Sequence, residues 1–299
     1  MSADPLPREA VLVVNAHSRK GEALFADAEG KLKQAGITLL AAHPVEDPDR
    51  MEDTVRDAVR SGAPMVIVGG GDGSLASTVD ALVGTDCVFG VLPLGTANSF
   101  ARTLGLPLEL DGAIDAIANG VRRRVDLGMI DHDYFVNGAS LGLSPIIGDT
   151  IPAGLKRWLG RAGYLLWAVK SSANFRPFRL TLECGDQKEK LWATEVRILN
   201  GSHHGGVELS DDAAIDSGEL LVQVVTGTSR VKLGLDWYAK FFRLRDRDAR
   251  TREFRGSDFI LKTRPRQRVS IDGEVLAQTP IRARVAPGAV QVAVPADSV

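Results

Sequence analysis

Met65-Val66-Ile67-Val68-Gly69-Gly70-Gly71-Asp72-Gly73-Ser74 decides how this chain is read. Four apolar, largely β-branched residues without a polar interruption predict a strand buried on both faces, as in a parallel sheet. The glycine run follows at once, and residues 75–83 then carry a helical pattern. Glycine permits positive φ and lets backbone approach a ligand with no Cβ in the way. The first turn of a helix offers unsatisfied N–H groups and the positive end of its dipole. Strand, turn and helix together predict a seat for a nucleotide phosphate built from Gly69, Gly70, Gly71, Asp72, Gly73 and Ser74. A turn that needs glycine for geometry alone is the simpler alternative. Four glycines in five positions exceed that need.

The same rhythm surrounds this stretch. Strands are predicted over 11–14, 37–42 and 88–92, and helices over 22–34, 49–61 and 98–104. Strands alternating with helices to about residue 125 describe a doubly wound α/β domain. After Asp126 the texture changes. Short strand patterns at 134–136, 178–183, 195–200, 220–225, 259–263, 268–271 and 290–294 are separated by turn signals such as Asp216-Ser217-Gly218 and Asp272-Gly273. That pattern predicts a C-terminal β-sandwich, interrupted by helices over 152–172 and 231–242. The expected division is 8–126 for the α/β domain and 127–299 for the sandwich, with the last strand free to return to the first domain.

Composition narrows the partners. The 299 residues carry 36 basic and 38 acidic side chains, so attraction to a membrane or polyanion must come from a local patch. Nothing points to nucleic acid. Cys87 and Cys184 lie far apart with no metal spacing, and read as thiols in a reducing compartment. Residues 1–9 lack the apolar core of a signal peptide, and no apolar run approaches the ~20 residues of a membrane span. A cytoplasmic protein, peripheral at the membrane, is expected, with homodimerisation left open.

Which phosphate seat is this? A Walker A loop requires GxxxxGK[ST], which the chain does not contain. Gly71-x-Gly73-x-x-Ala76 fits the looser dinucleotide pattern, but the following strand ends in Pro93-Leu94-Gly95 without the acid that would hold a ribose. Dinucleotide binding stays the alternative. An aspartate inside the turn suits a site that works through Mg²⁺, which takes one or two carboxylates plus substrate phosphates. A second glycine loop, Pro93-Leu94-Gly95-Thr96-Ala97-Asn98, also precedes a helix. In a parallel sheet both loops fall at carboxyl ends of strands, where ligands bind.

These residues resemble the diacylglycerol kinase catalytic-domain family, which includes bacterial soluble lipid kinases and sphingosine kinases and is related to NAD kinases and phosphofructokinases. The resemblance runs through Asn15 to Gly21, Gly70-Gly71-Asp72-Gly73-Ser74, Leu92-Pro93-Leu94-Gly95-Thr96-Ala97-Asn98 with Phe100-Ala101-Arg102, and Arg124-Val125-Asp126-Leu127-Gly128. It continues at Asn200-Gly201, Gly205-Gly206 and Asp272-Gly273-Glu274. It implies an NAD kinase/phosphofructokinase-like α/β domain and a β-sandwich with a nucleotide cleft between them. ATP phosphates would lie on the Gly70 to Ser74 loop near Asn15, Thr96 and Asn98. Mg²⁺ would be held by Asp72 and Asp126. Glu274 would take the proton from a lipid hydroxyl such as that of diacylglycerol, with Asp272 beside it. An ordinary hairpin turn is the other reading of Asp272-Gly273. The chain departs from the pattern at Ser77 and Ser99, where the family carries carboxylates.

Two further stretches bear on a lipid partner. Trp158, Tyr164 and Trp167, bordered by Lys156, Arg157, Arg161 and Lys170, have the make-up of an interfacial element, or equally of a helix packed on the sandwich. Residues 240–268 hold eleven Lys/Arg against four Asp/Glu, suited to anionic headgroups or to a solvated, ion-paired surface. His203-His204 has no further ligand at metal spacing.

Overall fold

The computed structural model describes residues 5–17, 19–143, 175–204, 207–208, 214–227 and 251–298. The helices expected over 152–172 and 231–242, and the aromatic stretch around Trp158, lie outside the described residues. Two compact units share the chain: unit 1 is Met1–Asn137, Asn200–Gly218 and Val285–Val299, and unit 2 is Gly138–Leu199 and Glu219–Arg284.

Unit 1 opens with β1 (Glu9–Asn15), α1 (Arg19–Gln34), β2 (Thr38–Val45), α2 (Met51–Arg60), β3 (Met65–Gly70), α3 (Asp72–Val79) and β4 (Val88–Pro93). It continues with α4 (Ser99–Thr103), α5 (Leu110–Asn119), β5 (Val121–Ile130) and β6 (Asp133–Phe135). The first four strands pair in parallel in the order β2-β1-β3-β4. Every residue of β3 and β4 is buried, as their unbroken apolar runs require.

Alternation along the strands serves two layers of helices. Val11 and Val13 join Met51 and Val55 of α2 and Leu75 and Val79 of α3. Leu12 and Val14 join Ala28 and Leu32 of α1 and Ile114 and Ile117 of α5. Each such aliphatic side chain contributes about 2 kcal/mol when fully buried. The chain leaves β1 toward β2 on one side and returns to β3 on the other, so the order reverses between β1 and β3. That reversal opens a crevice at the carboxyl ends of these two strands. Helix α5 and strand β5 add to the elements read from the sequence.

Unit 2 begins with β7 (Gly138–Gly142), β8 (Phe178–Cys184) and β9 (Gln187–Leu199). The chain then passes through unit 1, where β10 (His203–His204) pairs β11 (Val207–Glu208). It resumes in unit 2 with β12 (Leu220–Thr226), β13 (Thr251–Gly256), β14 (Asp258–Arg264), β15 (Arg268–Ile271) and β16 (Glu274–Gln278). The last strand, β17 (Ile281–Val294), pairs β14 antiparallel through Ile281 to Arg284, and within unit 1 pairs β4 in parallel at Gln291 and Val292. Pairing in unit 2 is antiparallel throughout the described residues. Its hinge is β9, whose first half pairs β8 while its second half lies between β7 and β12.

Asp80 caps the carboxyl end of α3, where a negative charge meets the negative end of the dipole. Burial of its carboxyl, then the charges of Glu52 and Asp133, push its pKa up to about 6 against the opposing pull of Arg56. The folded protein therefore keeps a proton between about pH 4 and 6 that the unfolded chain has lost, and stability falls as pH rises through that window. The carboxyl is only partly withdrawn from water, so solvent screens the effect. Asp80→Asn is expected to melt above the parent at neutral pH and with it near pH 4, read by thermal melts across the range. Parallel melting curves at both ends would refute the assignment.

Candidate functional site

At the carboxyl end of β3 the chain turns at once into α3. Gly71 is the N-cap, extended at φ −88 and ψ −179, and no side chain caps the helix. Because Gly71 O accepts from Leu75 N at 3.1 Å, the helix starts at Asp72, three residues before the position expected from its pattern. Asp72, Gly73 and Ser74 are thus the first turn itself, and their N–H groups are the ones a helix leaves for an external acceptor. Asn15, at the end of β1, donates from Nδ2 to Ser74 Oγ at 2.9 Å. That bond crosses the β1/β3 reversal and ties the loop to the neighbouring strand.

The second loop leans on the first. A Cβ on Gly95 would stand 2.5 Å from Gly71 Cα, so the two backbones touch with no room for a side chain. Asp72 Oδ1 accepts from Phe100 N at 3.1 Å, binding the first loop to the start of α4. Phe100 is fully buried and stacks on Phe89, ring centroids 6.2 Å apart, which anchors that helix in the core. Asn98 takes the left-handed conformation, φ 50 and ψ 46. Its Oδ1 accepts from Gly95 N at 2.9 Å, and its Nδ2 donates to Pro93 O and Gly95 O, both at 3.1 Å. Asn98 is therefore the brace of its own loop, buried to 5% exposure, while Thr96 is exposed on the loop's surface. Arg102 adds a second brace, Nε to Ala97 O at 3.0 Å. Ser99, on the core side, is buried, and Ser77 is exposed with Oγ donating to Ser74 O at 3.2 Å.

Asp126 has a role that no local pattern announces. Its Oδ2 accepts from Gly218 N at 2.6 Å and its Oδ1 from Gly288 N at 2.7 Å. Its own N–H reaches Ile215 O at 2.7 Å, and Asn200 Nδ2 donates to its carbonyl at 2.8 Å. One buried aspartate thus holds together all three chain segments of unit 1. Asp216 is likewise engaged, its Oδ2 receiving Nε and Nη2 of Arg123 at 3.1 and 2.6 Å. These contacts bear on the Mg²⁺ expected here. Asp72 suits such an ion, since its Oδ2 makes no hydrogen bond among the described residues. Asp126, with an N–H on each oxygen and 5% exposure, is fitted to backbone instead. No group of three metal-binding side chains forms among the described residues. His203 Nδ1 lies 2.9 Å from Ser202 Oγ.

In unit 2, Asp272 and Gly273 make a two-residue turn with φ 45 and 103, joining Ile271 of β15 to Glu274 of β16. Positive φ at both central positions is the twist-matched hairpin turn that Asp-Gly favours. Asp272 also exchanges two bonds with Gly138 of β7: its N–H to the carbonyl at 2.9 Å, and its Oδ1 from the N–H at 3.0 Å. Asp272 holds the turn, and Glu274 stands exposed just beyond it. The hairpin reading of Asp272-Gly273 therefore holds.

Unit 1 is thus a doubly wound domain with paired glycine loops after β3 and β4, and unit 2 is an antiparallel β unit. Residues 9–130 match the diacylglycerol kinase catalytic domain, and residues 142–294 the YegS C-terminal NAD kinase β-sandwich-like domain. The chain is 35% identical to a "Probable lipid kinase YegS-like" of Chromohalobacter salexigens over 204 residues, 67% of this chain and 65% of that protein. It is 30% identical to a diacylglycerol kinase of Bacillus subtilis over 195 residues, 63% of each. The chain thus spans just under two thirds of the length of these two relatives. A crystal structure of a diacylglycerol kinase from Bacillus anthracis str. Sterne has the same fold, with a TM-score of 0.75, 20% identity and 98% of each chain covered. The chain belongs to the YegS-like members of the diacylglycerol kinase family.

Asp126→Ala removes the acceptor of two backbone N–H groups in a buried setting, which costs about 2–5 kcal/mol. A clear fall in melting temperature without any added metal or nucleotide is the expected result. A variant that melts like the parent and loses only metal-dependent activity would return Asp126 to the role of ligand.

Proposed function

We propose that this protein transfers the γ-phosphate of ATP to the hydroxyl of a lipid such as diacylglycerol, presented at a membrane surface. The observation that carries the reading is the uncapped first turn of α3, fixed against the second glycine loop at the β1/β3 reversal. Phosphoryl transfer asks mainly for positioning and charge neutralisation. The N–H groups of Asp72, Gly73 and Ser74 suit phosphate oxygens. Asn15 fixes Ser74, while Asn98 and Arg102 fix the loop that bears Thr96. Mg²⁺, held by Asp72 and the phosphates, would supply the neutralising charge.

Glu274 accepts the proton of the attacking hydroxyl. The lipid oxygen forms its bond to γ-phosphorus as the bond to the bridging oxygen breaks, and ADP leaves. Asp272 orients Glu274 by holding the turn on β7. Diacylglycerol as the acceptor draws on the kinship with the Bacillus subtilis diacylglycerol kinase.

Asp72→Asn keeps an oxygen for the Phe100 N–H, and Glu274→Gln alters an exposed residue, so both variants should fold. Each is expected to lose at least ~100-fold in turnover, about 3 kcal/mol of barrier. The assay follows labelled γ-phosphate from ATP into a cellular lipid extract. Near-parental turnover removes the residue concerned from its role, and ATP binding with no labelled lipid from the parent protein favours a nucleotide-binding regulator.

A further inference from the structure

One face of unit 2 is charged in a way that its own fold does not explain. Along β14, Phe259, Leu261 and Thr263 turn inward, and along β8, Phe178, Leu180 and Leu182 do the same. The residues between them share the outer face, and register sets them in rows across β14, β8 and β9. Arg264 is opposite Arg179, which is opposite Trp192; Lys262 is opposite Thr181, which is opposite Lys190; Ile260 is opposite Glu183, which is opposite Lys188.

The two carboxylates of this face are already engaged. Glu183 receives Lys188 at 2.7 Å and Lys262 at 3.3 Å, which holds its pKa below the usual carboxylate range. Asp258 is bound by Arg282. Arg179, Lys190 and Arg264 have no carboxylate partner among the described residues. Arg179 lies instead 5.4 Å from the centre of the Trp192 ring, which is 45% exposed.

Like charges directly opposite across a strand pair destabilise a sheet, so Arg264 against Arg179 costs the fold stability. An exposed indole adds nothing to the core. A concentration of uncompensated cations around an amphipathic ring is what an anionic interface recognises: basic residues gain from headgroup charge, and tryptophan settles at headgroup level. Arg179, Lys190, Trp192 and Arg264 line one open depression of about 700 Å³ on the outer face of neighbouring strands, where cations and the indole can surround phospholipid headgroups.

We propose that this face of unit 2, with Arg179, Lys190, Arg264 and Trp192 at its centre, docks the protein on an anionic phospholipid surface. The proposal rests on the lipid-kinase reading in one respect: the acceptor is then drawn from the surface the protein sits on.

Sedimentation with phosphatidylcholine vesicles, with and without phosphatidylglycerol, tests it on the full chain. The parent should bind the anionic vesicles and release them as salt rises. Binding should weaken about fivefold for each cation removed, the equivalent of ~1 kcal/mol. The triple variant Arg179→Gln/Lys190→Gln/Arg264→Gln should bind no better than to phosphatidylcholine alone, while melting no lower than the parent because it relieves repulsion. Trp192→Phe should abolish part of the blue shift in emission that anionic vesicles produce. Equal binding by parent and triple variant overturns the proposal, as does binding of the parent to single-stranded RNA but not to vesicles. A water-soluble short-chain diacylglycerol separates the two readings. Parent and triple variant should phosphorylate it alike, and a failure of both would sink the kinase reading while leaving the vesicle comparison intact.

Discussion

The contact between Gly71 and Gly95 is the constraint on which the site depends. The 2.5 Å that would separate a Cβ on Gly95 from Gly71 Cα means that the loops after β3 and β4 meet as bare backbone. The consequences follow from that approach. With the loops this close, Asp72 reaches Phe100 N, Asn98 folds back on Gly95, and the first turn of α3 is left without a side-chain cap. A single methyl group at position 95 would force apart two loops that the parallel sheet otherwise holds at the spacing of adjacent strands. The glycine run therefore works by letting two pieces of protein approach one another, as well as by letting protein approach ligand.

How much of this was legible depended on whether the signal was local. The α/β unit reads from the sequence because its strands are buried on both faces and its helices repeat every three to four residues, both patterns being properties of short windows. The β unit is less legible. The first half of β9, Gln187 to Trp192, alternates charged residues with residues that are themselves half-exposed, so its inward face carries little contrast. β7, Gly138–Gly142, is buried throughout yet holds two glycines and a serine, a composition that suggests a loop. The start of α3 at Asp72 is hidden from the sequence for a related reason: Gly73 and Ser74 are poor helix formers, and tertiary packing overrides their propensity.

Residue roles divide along the same line. The glycine loops, Asp72 and the Asp272-Gly273-Glu274 turn could be picked out because their motifs are contiguous. The clamp made by Asp126 could not, since its partners Gly218 and Gly288 lie 92 and 162 residues away. The three aspartates singled out by sequence share a feature visible only in three dimensions. Each gives at least one carboxylate oxygen to a backbone N–H: Asp72 to Phe100, Asp126 to Gly218 and Gly288, Asp272 to Gly138. A carboxylate so bound is oriented before any ligand arrives, and a charge-assisted bond is stronger than a neutral one. What distinguishes Asp72 from Asp126 is the carboxylate oxygen left over, which suits Asp72 to a ligand and Asp126 to architecture.

The same accounting by position explains why net charge misleads here. A chain with 36 basic and 38 acidic residues is close to neutral, and that total excludes a strong field over the whole molecule. It says nothing about rows. On the outer face of β14, β8 and β9, the alternation that buries apolar residues on one side collects Lys and Arg on the other, and strand register then sets Arg264 against Arg179. Acidic residues group as well: in unit 1, Glu52, Asp80 and Asp133 are close enough to one another to raise a carboxylate pKa. Near-neutrality is thus a sum over local groupings in which like charges stand together. Grouping of this kind costs stability locally, and it gives each grouping a field of its own.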